Sequence, residues 1–419
     1  MKVAVVGGGS TYTPELADGV GRLAGEVGIS ELVLIDPDAA RLAVVGPFSA
    51  RIMAALGHPA RVRWTTDLAG GLDGAGAVLI QLRVGGQAAR QRDETWPLAC
   101  GCVGQETTGA GGLAKALRTV PVVLGIAEQV ARRALAGAWI IDFTNPVGIV
   151  TRALLDAGHR AVGLCNVAIG FQREFAALLG VAPEQVALDH VGLNHLTWER
   201  AVLVDGTDWL PDLMATHGKE IAAHTGMPPV VMQELGVVPS YYLRYFYCHD
   251  QVVAEQREQP TRAEEVARLE RELLAMYADP ALDRKPALLG ERGGAYYSEA
   301  AVALLASLVT GRGEDQVVNV RNAGTLSFLP GDAVIEVPCR IGTDGPRPRR
   351  VRPLAAPLRG LVGHVSAYEE LAVDAAVRGG RERVVAALLA HPLVGQFDLA
   401  GRLADLLIAE NAAYLPWAR

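Results

Sequence analysis

Short apolar runs with polar ends recur along the first 170 residues. KVAVV (2–6) runs into Gly7-Gly8-Gly9, and ELVLID (31–36) ends in Asp36. AVLIQLRVGG (77–86), WIIDFTNPVG (139–148) and RAVGLCN (160–166) repeat the form. Helix-like stretches lie between them. PELADGVGRLAG follows the first run, with Pro14 early, where its missing N–H costs little. VPVVLGIAEQVARRALA (120–136) precedes the fourth. Short strands alternating with helices predict βαβ units and a parallel sheet, whose ligands gather at the carboxyl ends of the strands. Cys165 and Asn166 fall on that edge.

Beyond residue 170 the pattern changes. VALDHVGLNHLTWERAVLVDG (186–206) alternates as strands do, and EEVARLERELLAMY (264–277) places Val266, Leu269, Leu273 and Met276 near one helical stripe. DAVIEVPCRIG (332–342) and the later VRPLAA read as a hairpin across DGPRPRR. Ser366 and Glu369 have capping-box spacing, predicting a helix that opens there and closes near Gly379. The glycine-rich stretch 81–121 has the length and placement of a mobile lid over the strand ends. The expected architecture is α/β: a Rossmann-type parallel sheet over 1–170 and a mixed α+β domain over 171–419.

Composition narrows the class. The chain has 419 residues, half of them apolar and a fifth charged, which suits a soluble two-domain protein. No run of about 18 apolar residues lacks a charge, so no membrane span is expected. No signal-peptide pattern follows the first methionine, so a cytoplasmic protein is expected. Five scattered cysteines read as thiols. A net charge of −7 argues against a nucleic-acid partner.

The candidate chemistry is spread over several blocks. Gly7 to Gly9 between a strand and a helix, with Asp36 ending the next strand, is a dinucleotide signal. Tyr12 stands where the third glycine of the fingerprint belongs, so a tight turn without a ligand is the alternative. An acid at Asp36 favours NAD over NADP. DFTNPVG has the look of the TNPV of lactate and malate dehydrogenases, but the His/Asp relay those enzymes need is in no obvious place. Cys165 and His195 can jointly hold a divalent metal; a core thiol and a hydrogen-bonded imidazole are the alternative. Tyr241, Tyr242, Tyr245 and Tyr247 surround Arg244, as packing or as a source of a base. Arg83, Arg90, Arg92 and Arg262 can fork a phosphate or carboxylate, or simply line the surface.

As a set, VAVVGGGSTYTPEL, RVGGQAARQRDE, GCVGQETTGAGG, ALRTVP, DFTNPVG, GLCN, GLNHL, YLRYFY and RGG resemble glycoside hydrolase family 4, the NAD- and metal-dependent glycosidases, over nearly the whole chain. Asn166 after the cysteine is similar to the 6-phospho-β-glucosidase branch; α-specific branches carry Asp or His there. The resemblance implies a lactate/malate dehydrogenase-like arrangement and a homodimer or homotetramer. It implies NAD on Gly7, Gly9, Ser10, Thr11 and Asp36, and a Mn²⁺-type ion on Cys165 and His195. Tyr242 would be the base, and Arg90, Asn145, Asn166 and Arg262 would contact the sugar or its 6-phosphate. It also implies an elimination route in place of the usual carboxylate pair. Hydride leaves C3 for NAD⁺, Tyr242 takes the acidified C2 proton, the aglycone departs, water adds and the hydride returns. The competing readings are a 2-hydroxy-acid dehydrogenase, an α-specific glycosidase of the same family and a non-enzymatic NAD-binding regulator.

Overall fold

Val3, Ala4 and Val5 are fully buried, and so are Val33 and Leu34 and Val78 to Ile80. Strands apolar on both faces must be covered on both faces, and that produces the parallel sheet. The computed structural model describes residues 1–22, 26–294 and 296–418. Its parallel strands are β1 (Lys2–Val6), β2 (Glu31–Ile35), β3 (Arg61–Thr65), β4 (Ala77–Ile80), β5 (Trp139–Asp142) and β6 (Ala161–Gly163). They lie in the order β3-β2-β1-β4-β5-β6, so the winding reverses between β1 and β4. A crevice at such a reversal is where doubly wound sheets bind ligands.

The sheet continues into the second half. Its strands are β7 (Val186–Leu193), β8 (Leu196–Val204), β9 (Thr207–Asp208), β10 (Val238–Pro239), β11 (Asp315–Arg321), β12 (Val334–Gly342) and β13 (Gly345–Pro348). β11 pairs antiparallel with β6, and the order runs on through β12, β7, β8 and β10. A division at residue 170 falls inside the helix Val167–Leu179, and one apolar core joins Val5 and Ile141 to Val318 and Ile335.

Four expectations are corrected. Stretch 81–121 is no loose lid: it forms the helix Gly86–Thr95, a 3₁₀ turn at Trp96–Cys100 and the start of the helix Gly109–Arg133. Its glycines permit close packing, since a Cβ on Gly111 would lie 2.4 Å from the carbonyl oxygens of Asp93 and Gln105. Gly109–Arg133 therefore begins well before residue 120. It is long and apolar enough to cross a bilayer, but most of it is buried inside the fold. Ser366 and Glu369 cap nothing, because both are buried in the middle of the helix Ala356–Arg378; its end at Gly379 is as expected. The hairpin partner of β12 is GPRP, inside the presumed turn, and VRPLAA forms no strand.

Candidate active site

At the end of β1, Gly7 has φ +87°, and a Cβ there would lie 2.3 Å from the Gln81 carbonyl oxygen. Only glycine fits such a turn. The N–H groups of Gly7 and Gly8 both donate to the Ile35 carbonyl, and that of Gly9 donates to Asp36 Oδ2 at 3.0 Å. Asp36 is therefore fixed at the rim of the turn, and a Cβ on Gly9 would press on its carboxylate. A turn without side chains beside a fixed acid fits a dinucleotide. Ser10 Oγ accepts from the Tyr12 N–H. Thr11 is buried, and its hydroxyl accepts from Arg292 Nε at 2.6 Å. Tyr12, at the place of the missing glycine, donates to the Gly294 carbonyl at 2.7 Å, tying the turn to the second half. Arg41, Gln87, Glu270 and Arg292 gather at this turn: Arg41 donates to the Gly9 carbonyl, and Glu270 accepts from Gln87 and Arg292. None of the four was singled out in the sequence, although Gln87 and Arg292 lie in the RVGGQAARQRDE and RGG blocks, because their partners lie far away in it.

The second cluster forms where β6 ends against the β7–β8 hairpin. The two-residue turn of that hairpin is Asn194-His195, with His195 at φ 63°. A bulky residue in the left-handed region is strained, and strain of this kind concentrates at functional sites. His195 Nδ1 is 2.9 Å from Thr107 Oγ1, which leaves Nε2 for another partner. Burial pushes its pKa down to about 3, so the imidazole is neutral. Cys165 is buried beside Tyr297 and Asn194, and burial pushes its thiol well up. Tyr242 stacks on His195 with ring centroids 3.5 Å apart and planes 10° apart. Tyr241 lies 4.5 Å from Tyr242, one ring further from His195. Burial, then the neighbouring phenols and Cys165, push Tyr242 well up. Tyr297 was not singled out in the sequence, where nothing links it to Cys165.

The pair fits a divalent ion. A neutral imidazole with a free nitrogen and a thiol that only a cation can keep ionised are suitable donors. Among the described residues, no group of three or more Cys, His, Asp or Glu side chains surrounds such an ion, so part of its coordination would come from other oxygens.

Beside this pair lies a buried charge cluster. Glu106 is bound by Arg83, by Lys115 at 2.6 Å and by Arg90 at 3.3 Å; Arg90 also holds Glu94 at 2.7 Å. Burial and then Arg83 push Lys115 down to about 7. Arg90 faces Tyr242 electrostatically. Asn145, in the turn after β5, has a buried Oδ1 without a partner among the described residues. Asn166 occupies the position before the helix Val167–Leu179, next to Cys165, without a side-chain capping bond to it. The structure thus assembles Arg90, Cys165, Asn166, His195 and Tyr242 around the end of β6. Arg262 is exposed at the start of the helix Arg262–Tyr277 and engaged by Glu265 and the Glu291 carbonyl, and the N–H of its neighbour Ala263 donates to Glu94 of the charge cluster at 2.8 Å. All five cysteines are free thiols.

Two family models match this chain, one for family 4 glycosyl hydrolases over residues 2–181 and one for their C-terminal domain over 190–394. A Bacillus subtilis relative named a probable 6-phospho-beta-glucosidase is 37% identical, over 99% of this chain and 97% of its own. The chain belongs to the family 4 glycosyl hydrolases. The 6-phospho-beta glucosidase of Thermotoga maritima, solved with manganese, NAD⁺ and glucose-6-phosphate, superposes with a TM-score of 0.93 at 32% identity, covering 99% of each chain. A malate dehydrogenase from Salinibacter ruber superposes at 0.54 with 16% identity over 90% of this family 4 chain and 98% of its own, a likeness of fold alone.

Proposed function

We propose that this family 4 enzyme is a 6-phospho-β-glucosidase that works with NAD⁺ and a Mn²⁺-type ion, in the cytoplasm and as a homodimer or homotetramer. The observation that carries the reading is the Cys165–His195 pair with Tyr242 stacked on it, where other glycosidases place two free carboxylates. Two nearby carboxylates are committed elsewhere. Glu106 is held by three cations, and Glu336 accepts hydrogen bonds from His190, Asn194 and Asn319.

When bound, the dinucleotide supplies a reversible hydride acceptor for the sugar C3, and the metal supplies Lewis-acid polarisation of the neighbouring oxygens. Gly7 and Gly9 let the dinucleotide approach the backbone, with Ser10 and Thr11 shaping the turn, and Asp36 receives a ribose hydroxyl. Cys165 and His195 hold the ion. Tyr242 takes the C2 proton. Its phenol is pushed up by burial, so its ionised form needs the positive charge of Arg90 and of the ion beside it. Arg90, Asn145 and Asn166 orient the sugar and its 6-phosphate. Arg83 and Arg90, paired with Glu106 and Glu94, offer guanidinium groups that can fork a phosphate. Asn166 is neutral and cannot act as a strong acid, which favours the β over the α reading.

The test is a panel of chromogenic α- and β-glycosides, with and without a 6-phosphate, assayed with NAD⁺, Mn²⁺ and a reductant. Release from the phosphorylated β-glucoside alone, dependent on both cofactors, is expected. Net NADH formation from a hydroxy acid without glycoside cleavage would contradict it.

A further inference from the structure

The antiparallel half carries a second, fully buried polar row behind the Cys165–His195 pair. Gly192 on β7 lies opposite Glu336 on β12, Glu336 opposite Asn319 on β11, and Asn319 opposite Gly163 on β6. Only Leu164 separates Gly163 from Cys165 along the chain. His190 precedes Gly192 by two positions, on the same face of β7, and sits opposite Glu199 on β8. His190 Nδ1 is 2.6 Å from Glu199 Oε1, and its Nε2 is 3.1 Å from Glu336 Oε1. Glu336 Oε2 accepts from Asn194 at 3.0 Å and from Asn319 at 2.8 Å. His190, Glu199 and Asn319 are wholly buried and Glu336 is 1% exposed.

This row has no outlet to solvent, so its charges must be answered inside. Two carboxylates share one imidazole, which Glu199 and Glu336 hold protonated against the cost of burial. Negative charge is left over. It faces Cys165 and His195. Asn194 is the mechanical link: its side chain donates to Glu336 and lies beside Cys165, and its backbone continues directly into His195.

We propose that Glu336 is a positioning residue for the metal: through Asn194 it fixes the Cys165–His195 pair, and the surplus negative charge of the Glu199–His190–Glu336 chain draws a divalent cation to that pair. This rests on the reading of Cys165 and His195 as metal ligands. Hydrogen-bonded partners behind metal ligands typically change affinity about 10–100-fold when removed.

The experiment measures Mn²⁺ affinity of the NAD⁺-loaded protein by electron paramagnetic resonance of the free ion, with NAD⁺ affinity measured separately. Glu336→Gln keeps the shape and removes the charge. It is expected to weaken Mn²⁺ binding about 10–100-fold and leave NAD⁺ affinity within about twofold. Glu336→Asp, which keeps the charge with a shorter reach, should recover part of the loss. Unchanged Mn²⁺ affinity in Glu336→Gln, or a parallel loss of NAD⁺ affinity that marks general disruption, overturns the proposal. Should Glu336→Gln not fold, Asn194→Ala at the half-buried hairpin turn carries the same test, with about tenfold weaker Mn²⁺ binding expected and unchanged binding overturning it. Wild type and Cys165→Ser are the controls. If these two bind Mn²⁺ equally, the ligand assignment itself falls. If they differ while Glu336→Gln matches wild type, only the role of Glu336 falls.

Discussion

The two ends of the candidate active site are built from different materials. At the β1 turn the protein offers backbone: glycines at Gly7 and Gly9, N–H groups and one acid at the end of the next strand. At the end of β6 it offers buried side chains, a thiol, an imidazole, stacked phenols and charges held by partners up to 146 residues away. A backbone site depends on local turn geometry. A side-chain site depends on strand register, because a slip of one residue would turn His190 and Glu336 to the opposite face. The first should therefore lose binding in small steps, and the second should lose chemistry in large ones.

The sharpest contrast is expected from Cys165→Ser. Losing an ion that stabilises charge by several kcal/mol should lower hydrolysis about 10³-fold or more. NAD⁺ affinity should stay nearly constant; parallel loss of both, measured by calorimetry, would erase the distinction between the two ends. Next comes Tyr242→Phe. Removing a general base typically costs about 10²–10⁴-fold, and Mn²⁺ affinity should not move. If Tyr241→Phe shows this behaviour instead, the base is the neighbouring ring.

At the backbone end, Asp36→Asn should weaken NAD⁺ about tenfold and reduce the preference over NADP⁺, as expected for one charge-assisted hydrogen bond. An unchanged ratio of the two affinities would place the ribose elsewhere. The smallest effect is on stability. His190 has its pKa raised to about 10 from 6.5, because Glu199 and Glu336 outweigh the cost of its burial. Such a group contributes stability that is complete below about pH 6.5 and is lost as pH rises through about 10. Denaturation midpoints should fall more steeply across that window for wild type than for His190→Gln; equal slopes contradict the charged-row account.

The same contrast explains what the sequence could reveal. Val3 to Val6, Leu32 to Ile35 and Val78 to Ile80 announce buried parallel strands because they are apolar without interruption. The edge strand β3, with Arg61, Arg63 and Trp64, has no such run and went unseen. Cys165, His195 and Tyr242 were legible through their motifs, and the structure gathers them. Gly111 and Gly112 misled because glycine signals mobility as readily as close backbone contact. Ser366 and Glu369 misled because capping-box spacing also arises by chance on a buried helix face. Glu336 and Tyr297 carried no local signal at all: their meaning is set by strands and loops that meet them only in the fold.

The account depends on the sugar ring being oxidised and restored while its glycosidic bond is cut. The most direct measurement is hydrolysis of a 6-phospho-β-glucoside in heavy water, with and without NAD⁺, followed by NMR of the sugar released. The account predicts deuterium at C2 and no turnover once the dinucleotide is removed. Product with hydrogen retained at C2, formed at the same rate without NAD⁺, would contradict it.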